Sequence, residues 1–133
     1  MTRLALRGTA LVDAAFGFVL LLGTWDRLYG ALHLPSAHEP FYAQIGGAFV
    51  VGMAYLLWIA HRHANLQQGA ALGAGLAHGL AAGVAISWLV EMGTDVRSHS
   101  GTTLTLLAAV FACLAVIDFA VARRSGAQLL PSD

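Results

Sequence analysis

The chain has 133 residues and a formal net charge of zero, with 58% hydrophobic and only 11% charged residues. Soluble domains carry about 25% charged residues, so this composition excludes an ordinary soluble domain. The absence of net positive charge argues against a nucleic-acid partner. The length suits a single domain over residues 1–133. A lone cysteine, Cys113, excludes an internal disulfide and a Cys-rich metal site.

Four apolar runs dominate the sequence, at about residues 9–32, 41–61, 69–92 and 102–122. An α-helix needs about 20 apolar residues to cross the hydrocarbon core of a bilayer, and each run is long enough. The gaps between the runs are short, which favours antiparallel neighbours. The runs therefore predict an all-α fold, a four-transmembrane-helix antiparallel bundle with up-down-up-down topology, forming one integral membrane domain.

The first run is expected to stay in the protein as a retained span. It has a basic start, like a signal peptide, but Asp13 interrupts it and no clear small-residue cleavage site follows. Beyond Gly23 the helix is expected to continue into the outer headgroup region. Residues 34–40 hold two prolines and form the clearest break, with Pro40 placed to begin helix 2.

The remaining elements follow in order. Helix 2 is expected to run to about residue 61, and helix 3 from about 68 to 92. Residues 98–103 are rich in Ser, Thr and Gly and are expected to cap helix 4. Five arginines flank the spans on one side, so the positive-inside rule predicts cytoplasmic N- and C-termini. The expected location is a cell membrane, the bacterial inner membrane. They are Arg3, Arg7, Arg62, Arg123 and Arg124.

Glycines recur on helices 2 and 3 at spacings that let another backbone approach closely. We interpret them as packing positions within the bundle, and docking to another subunit is the alternative. The residues are Gly46, Gly47, Gly52, Gly75, Gly79 and Gly83.

Three ionisable residues fall inside the predicted hydrocarbon region: Asp13, His78 and Asp118. At about 1.5 Å per residue, the two aspartates lie about 9 and 8 Å in from the nearest arginines, and His78 lies about 15 Å in from Gln68. Ionisable groups in spans are costly and usually have a partner in the protein interior. A proton or cation path from the aspartates toward His78 is one interpretation.

The interpretation we favour is structural. It pairs Asp13 with Arg7 or Arg62 near the cytoplasmic interface and Asp118 with the arginines at 123–124. The histidine then bonds a backbone carbonyl or a hydroxyl. A haem ligated by two histidines is disfavoured, because no second histidine lies at matching depth on a facing helix.

A polar cluster is expected at the outer interface, where amphipathic aromatic rings settle. Its most constrained members are Trp25, Arg27, Tyr29, Trp88 and Glu91. We expect a salt bridge between Arg27 and Glu91 that ties helix 1 to helix 3 or contacts a lipid or ligand headgroup. The histidines and carboxylates nearby show no recognised metal spacing, so no metal site is predicted, and no catalytic residue either.

The second-helix region contains Leu34-Pro35, Pro40-Phe41-Tyr42, Gly46-Gly47, Gly52 and Ala60-His61-Arg62. In these motifs it resembles the second-helix region of DoxX-like small membrane proteins. It implies a four-helix bundle with a glycine-bearing second helix that ends in a basic residue. Some members of that family resemble quinone-linked redox subunits. No site residue is carried over from the family.

Three functions are compatible with these features. The one we favour is a non-catalytic accessory subunit of a larger membrane complex, packing through its glycine faces and able to hold lipid, quinone or pigment. The alternatives are a quinone- or lipid-binding redox or sensing protein, and a proton or ion path through Asp13, His78 and Asp118. Expected partners are membrane lipids and other membrane subunits or further copies of the chain. No cofactor is predicted beyond a bound lipid or quinone.

Overall fold

The computed structural model describes residues 2–22, 30–31, 40–91 and 99–127, and the regular structure within them is helical. Four helices account for nearly all of it: α1 (Thr2–Leu21), α2 (Pro40–Ala60), α3 (Ala64–Glu91) and α4 (His99–Ala127). Each is long and apolar enough to cross a membrane. The prediction of an all-helical protein with four apolar spans is confirmed at this level.

The helix boundaries differ from the predicted runs. Helix α2 begins at Pro40 as expected, but α1 begins at Thr2, α3 at Ala64, and α4 reaches Ala127. Apolar runs mark the hydrocarbon region, whereas Gln, Arg and Ala beyond them are good helix formers that prolong the helix. The segment between the predicted helices 2 and 3, about residues 62–67, is therefore mostly helical. The outer continuation of helix 1 and the proline break at 34–39 lie outside the described residues.

The predicted cap of helix 4 is also partly wrong, because residues 99–103 belong to the helix itself. The hydroxyl of Thr105 donates a hydrogen bond to the carbonyl of Gly101, 2.8 Å away. This bond lies one turn inside α4 and satisfies the hydroxyl in the apolar segment.

The most extensive contacts join α1 with α2 and α3 with α4. A close approach of two backbones joins Gly17 of α1 to Gly47 of α2. A Cβ placed on Gly47 would lie 2.7 Å from the carbonyl oxygen of Gly17 and 2.8 Å from the amide nitrogen of Leu21. Only glycine permits this separation of the two backbones.

Between α3 and α4, residues that come earlier on α3 contact residues that come later on α4. A Cβ on Gly75 would lie 3.2 Å from the ring of Phe119, and one on Gly126 would lie 2.7 Å from the amide nitrogen of Gln68. Gln68 precedes Gly75 on α3, while Gly126 follows Phe119 on α4. The contacts of α2 with α3 and of α1 with α4 are more limited.

The glycine prediction holds for only part of the set. Gly47 and Gly75 lie against other helices, but the expected packing within the chain is not met at four positions. There, no atom of the described residues outside the local helix lies within 4 Å of an added Cβ: Gly46, Gly52, Gly79 and Gly83. For the two glycines on α3 the reason is helical geometry: residues four apart are displaced by about 40° around the axis, so a stripe starting at Gly75 turns away from α4.

Two apolar clusters fill the interior. The first contains Leu6, Ala10, Leu57, Ala71, Ala74, Val121 and Ala122. The second contains Ala82, Phe111 and Leu114, with Phe16, Ala81 and Leu107 packed against it. Along α1, α3 and α4, the level between the two clusters is occupied by Asp13, His78 and Asp118.

Candidate functional site

His78 of α3 bridges two aspartates in the interior of the protein. Its Nε2 lies 2.7 Å from Oδ1 of Asp13, and its Nδ1 lies 2.8 Å from Oδ2 of Asp118. All three residues are buried, with exposed fractions of 5%, 2% and 0% for His78, Asp13 and Asp118. We call these three residues the polar triad. It joins α1, α3 and α4 at one level.

The donors and acceptors of the triad restrict its protonation. A carboxylate can only accept a hydrogen bond, and a neutral imidazole carries a single N–H. Both contacts to His78 therefore need a proton. The ring is an imidazolium that donates to both aspartates, or it is neutral and accepts one bond from a protonated aspartate. With two ionised aspartates around an imidazolium, or one ionised aspartate beside a neutral ring, the triad keeps one net negative charge, which is costly in the interior when it is uncompensated.

The two aspartates differ in how completely they are satisfied. Thr9 donates its hydroxyl to Oδ1 of Asp118 across 3.2 Å, so both oxygens of that carboxyl have partners. The second oxygen of Asp13, Oδ2, is buried and has no hydrogen-bond partner in the described part of the protein. A buried polar atom without a partner costs about 1–3 kcal/mol, more for a charged group. Asp13 Oδ2 is therefore the carboxyl oxygen of the triad that lacks a hydrogen-bond partner among the described residues.

Aromatic rings hold the histidine in place. Phe111 stacks on His78, with ring centroids 5.9 Å apart and an interplanar angle of 18°. Phe16 meets Phe111 edge-on, at 5.0 Å and 77°. The imidazole plane is thus set by packing as well as by its two hydrogen bonds, which orients both nitrogens toward the aspartates.

An apolar cavity of about 200 Å³ adjoins the triad where the four helices meet. A cavity of about 150 Å³ is large enough for a benzene-sized molecule. The polar groups on its wall come from Asp13 and His78, and the remainder is aliphatic or aromatic. The lining comprises Asp13, Phe16, Phe49, Val50, Met53, Ala77, His78, Ala81 and Phe111.

Access to this cavity is lateral. Met53 also lines a groove of about 390 Å³ between α2 and α3, which continues past Leu56 to Gly69 and Gly73. Phe49 and Met53 border a further depression of about 460 Å³ on α2. Along the helix axes, by contrast, the triad has an apolar cluster on either side. The site therefore faces the surroundings of α2 and α3 rather than the helix ends.

The favoured pairing of the aspartates with arginines is wrong. Asp13 and Asp118 both contact His78, and the two ion pairs in the described residues are these contacts. The depth estimate failed because its starting points differed in level. Gln68 packs against Gly126, three residues beyond Arg123. From that shared level Asp118 lies about 12 Å in and His78 about 15 Å in, a difference that the side chains span.

Residues that support the site were overlooked, although helical spacing identifies them. Thr9 lies four residues before Asp13, and Phe111 lies seven before Asp118. Residues separated by four or seven share one face of a helix, so an inward aspartate places each of these residues inward too. Phe16, three residues after Asp13, follows the same rule.

The predicted outer-interface cluster is mostly untested. Trp25, Arg27 and Tyr29 lie outside the described residues, as does the side chain of Glu91 at the end of α3, so the predicted salt bridge stays a prediction. Trp88 lies on α3 and is exposed. Within the described ranges, no group of three or more His, Cys, Asp or Glu residues is arranged to hold a metal ion.

Comparisons with known proteins found no relatives. No protein-family model matches the chain, and no curated protein or solved structure does so. The resemblance to DoxX-like proteins therefore stays a prediction, and the functional argument rests on the geometry of the triad and its cavity.

Proposed function

We propose that this protein is a four-span membrane protein that binds a small membrane-soluble molecule with a ring of about benzene size and a hydrogen-bond donor. A quinol or another phenol has this chemistry. The observation that carries the proposal is the pairing of two features at Asp13: the residue lines an apolar cavity, and its buried Oδ2 has no hydrogen-bond partner among the described residues. A phenolic O–H donating to this oxygen supplies the missing hydrogen bond, and the apolar wall accommodates the ring.

The membrane arrangement in this proposal is an antiparallel bundle with both termini in the cytoplasm of a bacterial cell. The order of contacts supports it: early residues of α3 meet late residues of α4, and Gly17, late in α1, meets Gly47, early in α2. Arginines support the orientation, since Arg7, Arg62 and Arg123 fall at one end of this arrangement.

Lateral access favours a ligand that arrives through the bilayer over one that crosses it. A molecule dissolved in the hydrocarbon reaches the groove between α2 and α3 directly, and the groove has room for an apolar tail. An ion crossing the bilayer through the triad has to pass both apolar clusters. Ion flux in liposomes that falls in His78→Ala and in Asp118→Asn would favour the ion path instead.

The binding test compares the two oxidation states of one short-chain benzoquinone. The quinol carries O–H donors and the quinone carries none. We expect the purified chain in detergent to bind the quinol at least about tenfold more tightly, because a hydrogen bond to a charged group contributes about 1.5–3 kcal/mol. Asp13→Asn should remove this preference, since an amide presents a donor as well as an acceptor.

A matched pair of substitutions tests whether the ligand occupies the cavity. Ala77 lines the cavity, and Ala109 is an exposed alanine of α4 outside it. Ala77→Phe should abolish quinol binding by filling the space, whereas Ala109→Phe should leave it unchanged. Equal binding by the two variants, or equal affinity of the wild type for quinol and quinone, would contradict the proposal.

An accessory subunit of a larger membrane complex is the second candidate. The open glycine positions on α2 and α3 favour it, because a helix from another chain approaches most closely at small residues. Purification from native membranes in mild detergent tests it. A particle much larger than the 13.9 kDa chain supports this candidate, and a small monomer or dimer counts against it.

A further inference from the structure

A second cavity, polar and of about 650 Å³, lies where α1 begins and α2 ends. Its lining comprises Arg3, Leu4, Arg7, His61 and Arg62. The first apolar cluster, which includes Leu6 and Leu57, separates it from the polar triad. The two cavities are therefore distinct sites with opposite electrostatic character.

The charge of this cavity is uncompensated within the described residues. It has three arginines on its wall, and both ion pairs among those residues belong to His78 instead. The guanidinium of Arg7 lies over the ring of Trp58, 5.7 Å from its centroid, a contact that leaves its N–H groups available. A concave site with three guanidinium groups and no carboxylate attracts anions.

His61 adds a fixed polar group to the same wall. It is buried, with 4% of its surface exposed. Its Nδ1 donates to the backbone carbonyl of Trp58, and its own carbonyl lies 3.5 Å from the side-chain amide nitrogen of Gln67. Because a carbonyl oxygen only accepts, Nδ1 carries the hydrogen. The second ring nitrogen, Nε2, is then the one left for a ligand, as an acceptor or, when protonated, as a donor.

We propose that this cavity binds the phosphate group of an anionic phospholipid. Guanidinium groups bind phosphate oxygens through pairs of parallel hydrogen bonds. The three arginines of this cavity therefore suit a phosphodiester group. The apolar side chains beside the cavity favour a lipid over free phosphate. Leu4 is 75% exposed and Trp58 38% exposed, and both would contact the glycerol and acyl region.

The test uses the full chain, stripped of lipid in detergent, and native mass spectrometry. The probes are phosphatidylglycerol and phosphatidylcholine with identical acyl chains, and inorganic phosphate as a competitor. We expect phosphatidylglycerol to bind about tenfold more tightly than phosphatidylcholine. Inorganic phosphate at the same concentration should not displace it.

Three charge-equivalent variants locate the site. Arg7→Gln and Arg62→Gln should each weaken phosphatidylglycerol binding about fivefold, the effect of one basic residue near an anionic headgroup. Arg124→Gln removes the same charge from an exposed position on α4 outside the cavity, and should leave binding within about twofold. Unfolding temperatures show whether each variant is folded. Arg62 lies in the turn after α2, so its substitution spares the contact with Trp58.

Three results would overturn the proposal. An equal loss in Arg124→Gln would indicate diffuse attraction to the arginine-rich end. Equal binding of the two lipids would remove the requirement for a negative headgroup. Displacement of the lipid by an equal concentration of inorganic phosphate would identify a site for the free anion. None of these results bears on quinol binding at Asp13, so the two proposals can fail independently.

Discussion

Replacement of His78 by phenylalanine should destabilise the protein more than any loss of packing predicts. Phenylalanine keeps a ring against Phe111, where the imidazole now stacks, but removes both ring nitrogens. Asp13 and Asp118 then lose their shared partner while remaining in the protein interior. Removing one partner from a buried ion pair costs about 3–5 kcal/mol, because the remaining charge is uncompensated.

The unfolding free energy lost in His78→Phe distinguishes a charged triad from a neutral one. Neutral hydrogen bonds between helices in a membrane contribute about 0.6 kcal/mol each on average, since the unfolded chain also finds partners. Two neutral bonds to His78 would therefore be worth about 1 kcal/mol together. If the triad is charged, His78→Phe should lower the unfolding free energy by the larger amount, about 3–5 kcal/mol. The measurement is the free energy of unfolding in mixed micelles titrated with denaturing detergent, followed by tryptophan fluorescence.

A fully apolar variant completes the test. His78→Phe combined with Asp13→Leu and Asp118→Leu leaves no carboxylate behind. Replacing a whole buried ionic network by apolar residues of similar volume is often neutral or stabilising. The triple variant should therefore recover most of the stability lost by His78→Phe alone. A loss of about 1 kcal/mol or less in the single variant, or no recovery in the triple variant, would refute a charged triad.

Two further predictions concern packing and membrane embedding. Gly47→Ala should cost about 1–3 kcal/mol of unfolding free energy, since its Cβ would meet the backbone of Gly17. Gly46→Ala, with open space around the new Cβ, should be neutral or gain up to about 1 kcal/mol from helix propensity, and equal costs would contradict the packing. Cys113 is exposed on α4. In intact membranes it should resist water-soluble maleimides, which require a thiolate, and react after detergent denaturation; rapid labelling in membranes would contradict embedding of α4.

The number and character of the helices were predictable from the sequence because hydropathy is a local property. A run of about 20 apolar residues indicates a span without knowledge of the rest of the chain. Helix ends were not, because the third apolar run begins only after Gln67 and Gln68, and their good helix propensity is too weak a signal to extend the predicted helix. Their position at the start of α3 depends on packing against α4, which local sequence does not contain.

The sequence identified the three residues of the polar triad, but it did not predict that they contact one another. Asp13, His78 and Asp118 stand out as ionisable groups in apolar runs. Their contact depends on the relative level and rotation of α1, α3 and α4. The contact between Gln68 and Gly126 sets the level of α3 against α4, and it joins residues far apart in sequence. Residues of all four helices line the cavity, so it could not be predicted from any single segment of the sequence.

The division of the triad between helix pairs bears on how the protein is assembled. Asp13 and Thr9 belong to the α1–α2 pair, whereas His78 and Asp118 belong to the α3–α4 pair. The first pair is synthesised with a lone aspartate in its apolar segment, and the second pair already contains the histidine. Contact between the two halves gives Oδ1 of Asp13 its partner, His78. Before the halves meet, the first pair holds an aspartate in an apolar segment without that partner, so we expect the polar triad to favour correct docking of the two pairs.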